Sequence, residues 1–194
     1  MIVYKGTTAD MKSRCGGNTD NSFKPGQKFT VENEDKLIKT VSYGYHAYEY
    51  PLKCLNYYRL DGRNRFWRCE ATGNIDEDKD GKVASEHIEW LKELSLYELA
   101  VAAVDYMIAH PDRSDWQVRF DNVIAAEDEV EIDESFGIAI ARGEHPKAKA
   151  PEGAVIALIT ECDGVIKDAK VITVPDKLAD RWIQLRRPHE KEIS

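Results

Sequence analysis

One histidine and four tyrosines stand within the eight residues Tyr43-Gly44-Tyr45-His46-Ala47-Tyr48-Glu49-Tyr50. Imidazole changes charge near neutral pH, so His46 is a candidate acid, base or ligand-orienting group. Tyrosine buries its ring and offers a hydroxyl. That makes Tyr45 a candidate for the same site and Tyr48 a candidate for contact with a partner. The alternative for His46 is a half-buried ring bonded to backbone. No Ser/His/Asp, Cys/His or phosphate-loop arrangement accompanies these residues.

A second group of candidates is acidic. In an extended chain, successive side chains point to opposite faces. Glu127, Glu129, Glu131 and Asp133 would then share one face and present a row of carboxylates to a basic partner protein. The alternative is an edge strand protected by its charges. Asp76, Asp78, Asp80 and Gly81 resemble the start of a calcium loop, but the twelfth position, which calls for Glu, holds His87. A solvated acidic turn is the preferred reading, with no metal and no cofactor. The four cysteines, Cys15, Cys54, Cys69 and Cys162, form no CxxC pair. They read as reduced thiols.

The 194 residues carry a formal charge of −8. That argues against direct nucleic-acid binding, which needs a basic surface, and suits a basic protein partner. No run of 18 apolar residues predicts a membrane span. Met1–Gly6 reads as a strand rather than a signal peptide, so the expected location is cytoplasmic. Oligomeric state is left open.

These candidates need elements to position them. Met1–Lys5, Lys28–Glu32, Leu37–Tyr43 and Arg65–Ala71 read as strands. Pro51 suits the first position of a helix running to Tyr58, because its missing N–H is not needed there. Asn74–Lys82 reads as an acidic loop and Val83–Leu91 as a strand. Ser95 and Glu98 form a capping box before a helix from Leu96 to about Ala109. Beyond a linker at 112–115, strands are predicted over Trp116–Ile124, Phe136–Ala141, Ala154–Thr160, Val165–Val174 and Asp180–Leu185. Asp163-Gly164 supplies a hairpin turn. The predicted class is α+β. A mixed domain at 1–112, a mostly antiparallel sheet with two packed helices, precedes a β-rich module at 113–194.

The order of several short motifs resembles a known group. Tyr4-Lys5-Gly6, Asp10-Met11-Lys12, Gly44-Tyr45-His46-Ala47, Glu49, Pro51-Leu52, Tyr57-Tyr58, Arg65-Phe66 and Glu70-Ala71-x-Gly73 are similar to a family of uncharacterised phage and prophage proteins. Ser135–Gly143 and Gly153–Glu161 resemble that family's solenoid-like ending. The resemblance implies a phage context; joined to the acidic surface, it points to an accessory protein that contacts a host or phage protein, for example to inhibit a host defence or nucleic-acid-handling complex. A structural or virion-associated module is the alternative it allows. A second likeness is to ADP-ribosyltransferases, whose strand-helix-strand layout is similar to Tyr4–Thr7 followed by Gly44–Ala47. It implies an NAD cleft lined by Lys5 or Thr7, Tyr45 and His46. Ala47 stands where those enzymes have Ser, and no Glu is marked.

Overall fold

Strands dominate because β-branched and aromatic residues alternate with polar ones in short runs closed by Gly, Pro and Asp. The computed structural model describes residues 1–13, 24–33 and 36–185. They divide into two compact units, Met1–Tyr106 and Met107–Ser194. The α+β class expected from the sequence is the one observed.

The first unit contains β1 (Ile2–Thr7), β2 (Lys28–Thr30), β3 (Tyr45–Tyr48), a 3-10 helix at Pro51–Asn56, β4 (Arg65–Glu77) and β5 (Lys82–Leu94). Helix α1 (Leu96–Ala109) begins in this unit and runs across the boundary. Every strand pairing here is antiparallel. β1 pairs with both β3 and β4, and β5 pairs with both β3 and β4, so four strands close on themselves. Closure satisfies backbone groups that an open sheet leaves at its edges.

The interior is built by alternation. Val3, Trp67, Cys69, Ala71, Val83, Ile88 and Trp90 form one buried cluster. Trp67 and Trp90 meet edge to face, ring centres 5.5 Å apart. Burying a large side chain of this kind contributes on the order of 2–3 kcal/mol. The capping box forms as predicted: the Glu98 N–H donates to Ser95 Oγ at 3.2 Å, and the Ser95 N–H donates to Glu98 Oε2 at 2.9 Å. Lys92 also bonds Glu98. That bond first, and the Ser95 bonds next, hold the Glu98 carboxyl down to about 2.

Three sequence expectations change here. Leu37–Tyr43 is not a strand but a turn closed by one bridge, Lys39 to Tyr43, which leaves Leu37 and Val41 exposed. The predicted helix after Pro51 is a 3-10 helix ending at Asn56. The predicted acidic loop at 74–82 is mostly strand: β4 continues to Glu77, pairing Asp76 with Ala84 and Glu77 with Val83. The chain turns only at 78–81. There Asp78 Oδ1 accepts the N–H groups of Asp80 and Lys82, and Gly81 takes φ 70°.

The second unit contains β6 (Val118–Arg119), β7 (Val123–Glu131), β8 (Ile138–Lys149), β9 (Val155–Cys162), β10 (Val165–Thr173), a 3-10 turn at Asp176–Leu178 and β11 (Ile183–Gln184). β7, β8 and β9 are parallel neighbours. The nearly continuous small and β-branched residues of Ile138–Ala141 and Val155–Ile159 suit burial on both faces. Asp163 (φ 53°) and Gly164 (φ 73°) make the predicted turn into β10. The strand expected at Trp116–Ile124 resolves into β6 and the start of β7, the one expected at Phe136–Ala141 extends to Lys149, and the one expected at Asp180–Leu185 shrinks to Ile183–Gln184.

Candidate functional site

The antiparallel pairing of β1 with β3 sets Tyr4 opposite Tyr48, which brings Lys5 beside His46. The Lys5 ammonium donates to the His46 carbonyl oxygen at 2.6 Å. Both residues line one cavity of about 360 Å³ in the first unit. Its walls include Tyr4, Tyr45, Tyr48, Tyr57 and Tyr58, and Lys82 stands at it from β5. None of the described lining residues is acidic.

Gly6 shapes this cavity. A Cβ at Gly6 would lie 2.3 Å from Tyr58 Cδ2, so the Tyr58 ring takes the space a side chain would fill. The short helix places Cys54, Tyr57 and Tyr58 on the wall because Pro51, Leu52 and Leu55 are buried beneath it. Tyr48 and Tyr57 stack with ring centres 6.3 Å apart, and the Lys82 ammonium lies 5.9 Å from the Tyr57 ring centre. The Tyr45 hydroxyl donates to the Thr30 carbonyl oxygen at 3.1 Å, which fixes its ring.

The electrostatics are one-sided. Lys5 is only 8% exposed. Burial pushes the nearby Cys54 thiol up to about 12 against the opposing pull of Lys5, and pushes the Cys69 thiol up as well. Neither thiol ionises at neutral pH. Burial first, then Lys82 and Lys5, hold the His46 imidazole below its ordinary value; backbone groups of Lys39 and Thr40 oppose this. His46 is therefore neutral at pH 7, and its Nε2 is buried without a hydrogen-bond partner among the described residues. Burial raises the Tyr4, Tyr45 and Tyr48 hydroxyls, so these remain protonated donors. The wall thus offers ammonium groups, phenol donors and aromatic faces.

Tyr48, expected at a contact surface, is 8% exposed and belongs to the same cavity wall. The acidic candidates are placed elsewhere. Asp76 accepts the Thr40 N–H at 2.8 Å and pairs with Lys39, and Asp78 closes the β4–β5 turn. Among the described residues no three His, Cys, Asp or Glu side chains converge to hold a metal ion. Glu127, Glu129 and Glu131 lie on β7, and Asp133 follows it. Parallel register sets Glu129 opposite Lys147 and Glu131 opposite Lys149, with ion pairs of 2.6 and 2.7 Å. Cys15 lies outside the described residues.

Sequence reasoning did not bring Lys82 or Cys54 to the site. Lys82 enters from the far end of a hairpin whose length the sequence understated. Tyr57-Tyr58 carried a signal only as a motif of the resembling family.

The model of a protein family described as a domain of unknown function, DUF7666, matches residues 1–102. No curated protein and no solved structure matches the chain.

Proposed function

We propose that this chain, which belongs to the DUF7666 family, binds a small anionic ligand with a flat ring in the cleft beside Lys5 and His46. Every residue of the cleft falls within the family-matched segment. The observation that carries the reading is the buried Lys5 ammonium in a tyrosine-walled cavity with no acidic described lining residue. A phosphate or carboxylate between the Lys5 and Lys82 ammonium groups would gain charge-assisted hydrogen bonds, and tyrosine faces suit a heterocycle. Nucleotides join both features.

An NAD-using transferase is a narrower version of the same reading, since Lys5, Tyr45 and His46 share the cavity. Cleavage of a glycosidic bond develops positive charge on the sugar, which a carboxylate stabilises. The described lining residues supply none, so the reading is binding rather than turnover. The second reading is contact with a basic host or phage protein. It is favoured by the exposure of Glu127, Glu129, Glu131 and Asp133 and weakened by the lysines paired to two of them.

Thermal unfolding with AMP, NAD, adenosine and phosphate tests the first reading. AMP or NAD at about 100 times its dissociation constant should stabilise the chain by about 2.7 kcal/mol. Adenosine, without the anion, should do less. No shift with any of them at millimolar concentration would sink the proposal.

A further inference from the structure

The formal charge of −8 is not spread evenly over the chain. Residues 53–68 hold five basic side chains, Lys53, Arg59, Arg63, Arg65 and Arg68, against one acidic one, Asp61. Arg65 pairs with Glu93. Asp61 Oδ1 accepts the N–H groups of Arg63 and Asn64 at 3.0 and 3.3 Å, so it folds its own turn. Arg59, Arg63 and Arg68 are exposed, and none of these three side chains makes an ion pair or hydrogen bond among the described residues. A local basic face of this kind attracts anions whatever the net charge of the chain.

The backbone sets these arginines beside the cleft of the first unit. Tyr57 and Tyr58 line the cleft, and Arg59 follows them directly. Asn64 Nδ2 donates to the Arg59 carbonyl oxygen at 2.9 Å, which gathers 59–64 into one turn carrying Arg59 and Arg63. On β4, Arg68 stands opposite Tyr4, another wall residue. Burial raises the Tyr4 hydroxyl, and Arg68 opposes this more strongly than Asp105 adds to it. The guanidinium is therefore within electrostatic reach of the wall. Across the β4–β5 pairing Arg68 stands opposite Lys92, and like charges in that position destabilise a sheet. Glu98 takes the Lys92 ammonium, and Arg68 is left without a carboxylate. An arginine held so is better placed for an external anion than for the fold.

A free mononucleotide would fill the cleft and leave these arginines unused. Proteins that hold single strands combine a basic track for the phosphates with aromatic rings on which bases stack. Tyr48 and Tyr57 supply stacked faces, and the 39% exposure of Tyr57 carries them to the outside of the cleft. We propose that the cleft takes the terminal nucleotide of a single-stranded nucleic acid, and that Arg59, Arg63 and Arg68 hold the phosphates that follow it. This inference rests on the nucleotide reading of the cleft and goes beyond it in naming a polymer as the ligand. A duplex does not serve, because its paired bases cannot enter the cleft.

The test is isothermal titration of the full chain with AMP, with the adenine pentanucleotides of RNA and DNA, and with each pentanucleotide paired to its complement. At least one single strand should bind at least about tenfold more tightly than AMP, and more tightly than its duplex. Holding three phosphates should make its affinity fall roughly 15- to 20-fold between about 50 and about 200 mM salt. Arg59→Gln, Arg63→Gln and Arg68→Gln should each lower the salt slope by about 0.7. The triple variant should bind the strand no more tightly than it binds AMP. Its AMP affinity should be unchanged, which also shows that it is folded. A single strand bound no more tightly than AMP, or bound equally well by the triple variant, would overturn the proposal and leave the cleft a site for free nucleotides. Failure of AMP and of both strands alike would remove the nucleotide reading as well.

Discussion

Replacing Lys5 with Met separates a residue kept for a ligand from one kept for the fold. Lys5 is 8% exposed and donates to the His46 carbonyl oxygen at 2.6 Å. A hydrogen bond from a charged donor contributes about 1.5–3 kcal/mol, and leaving a buried carbonyl unbonded costs about 1–3 kcal/mol. Against these stands the desolvation of the ammonium, several kcal/mol by order of magnitude. The neighbouring Cys54 and Cys69 thiols do not reduce it, because burial keeps them neutral. Met fills similar volume without the charge. For the ligand, losing one charge-assisted bond should weaken AMP binding by about 1.5–3 kcal/mol, or about 10- to 150-fold. The assay is isothermal titration of the full chain with AMP, with urea unfolding read by hydrogen exchange at β1 and β4 amides to show that the first unit of the variant is folded. Unchanged AMP affinity in a folded Lys5→Met variant would refute the role given to Lys5.

Further predictions concern other parts of the first unit. Gly6→Ala should destabilise it by about 1–3 kcal/mol, because the added methyl collides with the buried Tyr58 ring; a urea midpoint measures this. Ser95→Ala should cost about 1 kcal/mol through the lost cap of α1, seen as a lower thermal midpoint. Because His46 lies below its ordinary 6.5 in the fold, the unfolded chain binds more protons below that pH. Its contribution to stability is therefore complete above pH 6.5 and is lost as pH falls through the lower folded value. His46→Gln should flatten this part of the stability profile, as measured by urea midpoints across that range.

The parts of the fold legible in the sequence were those with local causes. The capping box and the Asp163-Gly164 turn each follow from neighbouring residues, whereas Lys5 and His46 are joined only through the likeness to ADP-ribosyltransferases. Other features depend on distant partners. Asp76 and Glu77 look like loop residues, and only pairing with Ala84 and Val83 holds them extended. Leu37 and Val41 look like strand residues, but no strand among the described residues covers them and they stay exposed. Pro51 marked the start of a helical segment but not its type. The acidic run at 127–133 was visible as charge, whereas its lysine partners depend on the register between β7 and β8. Nothing in the local sequence marked Arg142 as buried, since its burial comes from a strand sandwiched between two others.

A crystal structure of the chain grown with AMP shows whether the cleft is a nucleotide site. The phosphate is expected between the Lys5 and Lys82 ammonium groups, with the adenine ring against the Tyr48 and Tyr57 faces. An empty cleft at saturating AMP, or nucleotide bound away from Lys5, would rule the site out.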